Sequence, residues 1–177
     1  MKSAYAIKRN GNGTALLLLP IILAAAAEIL AFFSSRANST YPITSLDTVM
    51  FLTEFAVGIL VIIYVLSFIL KGTACMVAFD ALRGVAVALL CICIYTVLEE
   101  RATLMGYVWF SDLESGNANS VSALNLGVAS AALYVGSVIL LAVTGAVEFI
   151  SAKKVKRTRE VVQAEIDELN KELASMK

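Results

Sequence analysis

Long, nearly unbroken apolar stretches dominate the chain, and four can be delimited: residues 14–33, 48–70, 75–98 and 124–150. Each is about 20 residues or more, enough for a helix rising 1.5 Å per residue to cross a hydrocarbon layer about 30 Å thick. In lipid, each backbone N–H and C=O must be paired within its own segment, so the pattern predicts helices rather than strands. Pro20 and the embedded glycines fit this reading, because membrane helices tolerate both. The fold class that follows is all-α: an integral membrane four-helix bundle over 14–150, preceded by a short N-terminus, 1–13.

The pattern changes after residue 150. In 151–177 the apolar positions become sparse and regular: Val155, Val162, Ile166, Leu169, Leu173 and Met176. After Val155 the steps are seven, four, three, four and three, a heptad seam. Lys156 and Glu160, and Asp167 and Lys171, are opposite charges four apart, as on one helix face. An amphipathic C-terminal helix continuing from the fourth span is expected, with the seam as an interaction element.

Two connections complete the layout. Residues 34–47 read as a short polar loop, in which Asn38-Ser39-Thr40 is a glycosylation sequon too near the bilayer for use. Glu99-Glu100-Arg101 reads as the end of the third span at the interface. Tyr107, Trp109 and Phe110 beyond it suit an interfacial aromatic belt or a short helix on the surface, and a docking surface is the sharper alternative. Residues 111–122 read as an exposed turn.

Composition supports the membrane reading. Of 177 residues, 59% are hydrophobic and 16% charged, against about 45–50% and about 25% in soluble domains; mean hydropathy is +0.83. Basic and acidic residues balance at 14 each, so charge gives no indication of nucleic acid, and none is expected as a partner. Histidine is absent, which excludes His-ligated metal sites and His-based acid–base catalysis. Cys75, Cys91 and Cys93 all fall in the third span and form no C-x-x-C pair; small apolar fillers suffice as their role. No phosphate-binding glycine loop or metalloprotease motif occurs, and no activated nucleophile is recognisable. No enzyme activity, cofactor or metal is expected.

Orientation follows from Lys and Arg. Lys2, Lys8, Arg9, Lys71 and the 153–159 cluster lie on one side, Arg36 and Arg101 on the other. The positive-inside rule puts both termini in the cytoplasm. A basic start, an apolar stretch and Ala25-Ala26-Ala27 also fit a cleavable signal peptide.

Charges within the spans need explanations, since each costs roughly 2.5–3.5 kcal/mol at the bilayer centre on insertion scales. Glu28 and Glu54 fall at similar depth on the first two spans, with Tyr134 of the fourth near that level. Facing carboxylates sharing a proton, or holding a cation, would form an ion- or proton-binding site. Asp80 and Arg83, three apart, suit an intramembrane ion pair. Gly127-x-x-x-Ala131, Ala132-x-x-x-Gly136 and Ala27-x-x-x-Ala31 would allow close helix approach.

Two functions are therefore in view. One is a non-enzymatic accessory or scaffold subunit of a larger membrane assembly, with the tail engaging other subunits, a second copy or a cytosolic partner. The other is a small homo-oligomeric proton or cation channel or transporter using Glu28 and Glu54.

Overall fold

The computed structural model describes residues 16–69, 73–111 and 113–175. It consists of α1 (Leu18–Ala37), α2 (Leu46–Ile69), α3 (Thr73–Met105), a π-helical turn over Gly106–Phe110, and α4 (Ala118–Ser175). No strand occurs among the described residues. Four helical stretches are long and apolar enough to cross a membrane: Leu18–Ala37, Leu46–Ile69, Val77–Phe110 and Ala118–Ala146. The architecture is compatible with a multi-pass transmembrane helical bundle. Each helix packs on its chain neighbours, and α1 closes the ring against α4, the most extensive contact of all.

The buried positions repeat at steps of three and four on every helix. On α1 they are Pro20, Ala24, Ala27, Ala31 and Ser34. On α2 they are Val49, Thr53, Ala56, Leu60, Ile63 and Ser67. On α4 the repeat runs through Ser120, Ala123, Gly127, Ser130, Tyr134, Ser137, Leu141 and Thr144, with Leu124 and Ala131 buried beside it. This spacing packs antiparallel helices at a shallow left-handed crossing. The large apolar side chains mostly point outward: Ile22, Ile29, Phe33, Phe51, Ile62, Phe68 and Ile139 are all more than half exposed. Small residues face inward because, against lipid, close backbone approach drives helix association rather than apolar burial.

The α1–α4 interface makes this concrete. The Ser137 hydroxyl donates to the Pro20 carbonyl (2.9 Å), Ser130 to Ala27 (2.7 Å), and Ser34 to the Ala123 carbonyl (2.6 Å). The α1 partners are seven residues apart, as are the α4 partners, in opposite directions. These bonds fix the two helices as antiparallel.

The third helix is longer than the charge pattern implies. It was expected to end at the interface near Glu99–Arg101, yet it continues to Met105 and into the π-helical turn. On α3 the buried steps run four then four at Cys93, Val97 and Arg101, instead of alternating. That extra residue rotates Arg101 into the core, where it is 0% exposed. The apolar stretch after it therefore continues the bundle: Leu104 and Val108 pack with Ala123 and Leu124 in a second small core. Trp109, Phe110 and Leu113 are exposed at this end. Ser120, expected within an exposed turn, is buried in the first turns of α4.

The tail continues α4 without a break to Ser175. Val162 and Ile166 are 47% and 45% exposed. The side chains of Val155, Leu169 and Leu173, and Met176 altogether, lie outside the described residues.

Candidate functional site

Polar groups collect at three levels of the bundle. The middle level is built on Tyr134, which α4 delivers fully buried to the bundle interior. Its phenol oxygen lies 2.7 Å from the Thr53 hydroxyl, which lies 2.8 Å from the Val49 carbonyl one turn back on α2. The Cys93 thiol of α3 approaches the same carbonyl at 3.7 Å and Thr53 at 3.5 Å. With the single Thr53 proton donated to Val49, the phenol must be the donor to Thr53. Tyr134 thus directs its proton to Thr53 and to neither carboxylate.

Glu28 is half-buried at the edge of this network, within electrostatic range of Tyr134, Cys93 and Glu54. Glu54 is exposed on the outside of α2. No hydrogen bond joins the two carboxylates. The structure therefore brings the predicted pair near one another, with Glu28 turned partly inward and Glu54 outward. Among the described residues, no group of three or more metal-ligating side chains occurs.

The second level is the end carrying the α1–α2 and α3–α4 connections. Arg101 donates through Nε to the Ser34 hydroxyl at 2.9 Å and through one terminal nitrogen to the Tyr41 carbonyl at 2.6 Å. It lies against Gly127, where a Cβ would sit 2.8 Å from the Arg101 Cγ. Its neighbour Glu100 turns the other way. That carboxylate accepts from the backbone N–H groups of Thr44 and Ser45, both at 3.2 Å, and from the Ser45 hydroxyl at 2.9 Å and the Thr44 hydroxyl. It thereby caps the start of α2, where helical N–H groups would otherwise lack acceptors. Before the start of α4, the Glu114 carboxylate accepts from the Asn117 side-chain amide at 2.8 Å and the Ser120 hydroxyl at 2.7 Å. The Asn38 amide donates to Ser120 at 2.6 Å and is 6% exposed.

The third level is at the opposite end of the bundle. Arg83 reaches Asp80 at 3.4 Å, as the three-residue spacing predicts. Arg83 is buried and the Asp80 side chain is 68% exposed. They stand beside an open cleft of about 320 Å³ between α3 and α4, also lined by Gly84 and Gly145.

Sequence reasoning singled out Glu28, Glu54, Tyr134, Asp80 and Arg83. It missed Thr53, Cys93, Ser34 and Arg101, which make the buried bonds. A reading by side-chain size would have found Ser34 and Thr53, since each occupies a small-residue position in the three–four repeat. No protein-family model, curated protein or solved structure matches the chain.

Proposed function

We propose that the protein is a non-enzymatic integral membrane protein, an accessory or scaffold subunit of a larger membrane assembly. One observation carries this reading. The fourth helix passes from bundle to tail in a single rod of 58 residues, about 87 Å at 1.5 Å per residue, and Val162 and Ile166 on its tail are exposed apolar positions. A helix of that length transmits the position of the bundle to whatever the tail grips. Positive-inside counting places both termini and the tail in the cytoplasm, where the tail meets other subunits or a cytosolic partner. The basic cluster at 153–159 anchors the base of the tail at the anionic leaflet.

The test is extraction with native lipids followed by native mass spectrometry. Partner chains should co-purify, Ile166→Asp should release them, and assembly activity should survive Glu28→Gln and Glu54→Gln. A chain carrying only lipid would refute the reading.

A second reading is favoured by the proximity of Glu28, Glu54 and the Tyr134–Thr53–Cys93 network at one level: a proton or cation channel or transporter. It predicts flux in liposomes that Glu28→Gln or Glu54→Gln abolishes. Silence across a series of pH values and cations would exclude it.

A further inference from the structure

Two polar side chains of the bundle point away from it. Glu54 is exposed on α2, and Tyr95 on α3 is 65% exposed. Neither has a hydrogen-bond partner within the described residues. Glu54 lies about 5 Å from the middle of α2 (Leu46–Ile69), at 1.5 Å per residue, and Tyr95 stands about one turn before Glu99 on α3. A carboxylate facing acyl chains at the depth of Glu54 is costly.

Their levels can be compared directly. Glu100 holds Thr44 and Ser45, and Cys93 lies between Val49 and Thr53. This antiparallel register sets Tyr95 level with about residue 50 of α2, four residues or about 6 Å from Glu54 along the axis. Side chains lean toward the N-terminus of their own helix. On antiparallel helices, Glu54 and Tyr95 therefore lean toward a common level. One is an acceptor and the other a donor.

Their surroundings match as well. Phe51 and Phe55, 65% and 54% exposed, stack beside Glu54 at 6.3 Å between ring centroids. Ile92 and Leu98, 48% and 39% exposed, flank Tyr95.

We propose that these two faces dock on one another between copies of this chain, with the Tyr95 phenol of one copy donating to the Glu54 carboxylate of the next. The occupant of each face is a second copy in the same orientation, because only then do donor and acceptor share a depth. The contact is heterologous: the α2 face of one copy meets the α3 face of its neighbour, an arrangement that closes into a ring or extends. It goes beyond the scaffold reading and does not use the tail. Under it, Glu54 serves association rather than transport.

The experiment is cysteine cross-linking of full-length chains in vesicles, with Cys75, Cys91 and Cys93 replaced by Ala. Chains carrying Phe55→Cys are mixed with chains carrying Ile92→Cys, which leaves Glu54 and Tyr95 in place. Oxidation should give a mixed 55–92 dimer, and the double variant a ladder. Self-linked 55–55 and 92–92 dimers without the mixed product would overturn the proposal, as would a monomer without cross-links.

A second measurement is association of labelled Tyr95→Phe chains by energy transfer in vesicles. Loss of one interhelical bond should weaken association about three- to twentyfold, equivalent to about 0.6–1.7 kcal/mol; unchanged association would refute the bond. If cross-linking fails while foreign chains still co-purify, the scaffold reading stands and the self-docking falls.

Discussion

Replacing Gly127 by alanine probes the packing around Arg101 with a single methyl group. The added Cβ would lie 2.8 Å from the Arg101 Cγ, 3.2 Å from its Cδ and 3.0 Å from the Ser34 Oγ. None of these can yield cheaply. Arg101 is fully buried and tied to Ser34 and Tyr41, and Ser34 is itself tied to the Ala123 carbonyl. Overpacking of this kind costs about 1–3 kcal/mol. Breaking the Ser34 bond instead would forfeit about 0.6 kcal/mol, the average for an interhelical bond in a membrane protein.

Gly84→Ala is the matched control, since a Cβ there meets nothing within 4 Å. Alanine raises helix propensity by up to about 1 kcal/mol at either site, so that gain cancels between the variants. Reversible unfolding in lipid bicelles should therefore show Gly127→Ala about 1–3 kcal/mol less stable than Gly84→Ala. In an Arg101→Ala background, where Cγ and Cδ are gone, most of that difference should vanish, giving a coupling of about 1 kcal/mol or more in a double-mutant cycle. Equal stabilities, or a cost that persists without Arg101, would refute the close approach.

Thr53→Val should cost about 0.6–1.7 kcal/mol in the same unfolding assay, because it strips Tyr134 of its acceptor; no cost would mean the phenol has another partner. Glu100→Ala should speed amide hydrogen exchange at Thr44–Val49 and destabilise by about 0.5–2 kcal/mol, the range for a lost helix cap, whereas protection there should be unchanged if Glu100 merely sits at the surface. Arg101→Lys should destabilise by about 1 kcal/mol or more, since an ammonium cannot reproduce the forked donation to Ser34 and Tyr41; a lysine variant as stable as the parent would contradict that geometry. For the tail, Ile166→Asp should release partner chains in native mass spectrometry without changing bundle stability.

The helices were legible from length and hydropathy alone, because apolar runs that long have few other solutions in water or lipid. Which way each helix faces was not. Ile29 and Phe33 are as apolar as any core residue yet exposed, while Ser34, Ser130 and Ser137 are buried. A hydrophobic–polar reading therefore has no contrast to work with, and the information lies in side-chain size. The Asp80–Arg83 pairing was legible because it is local and needs only helical spacing. Arg101 was not. Its charge near a polar stretch resembles an interfacial anchor, and only the shifted buried step at Val97–Arg101 betrays its inward turn. The Tyr134 partner was equally hidden, since depth along the helices offers Glu28, Glu54 and Thr53 alike and gives no sequence cue as to which accepts.

The α1–α4 ladder carries a hidden ambiguity of register. Its rungs recur every seven residues, so a slip of one heptad, about 10.5 Å at 1.5 Å per residue, would still match hydroxyls to carbonyls: Ser137 would meet Ala27 and Ser34 would meet Ser130. The rungs alone cannot tell the native alignment from its neighbour. Gly127 can, because it is the residue that clears room for the Arg101 stem beside Ser34. In the slipped alignment, Tyr134 would fall near that stem instead. The glycine thus acts as a keyway: it contributes no bond of its own, yet it decides which rung is first when the last span seats against the first.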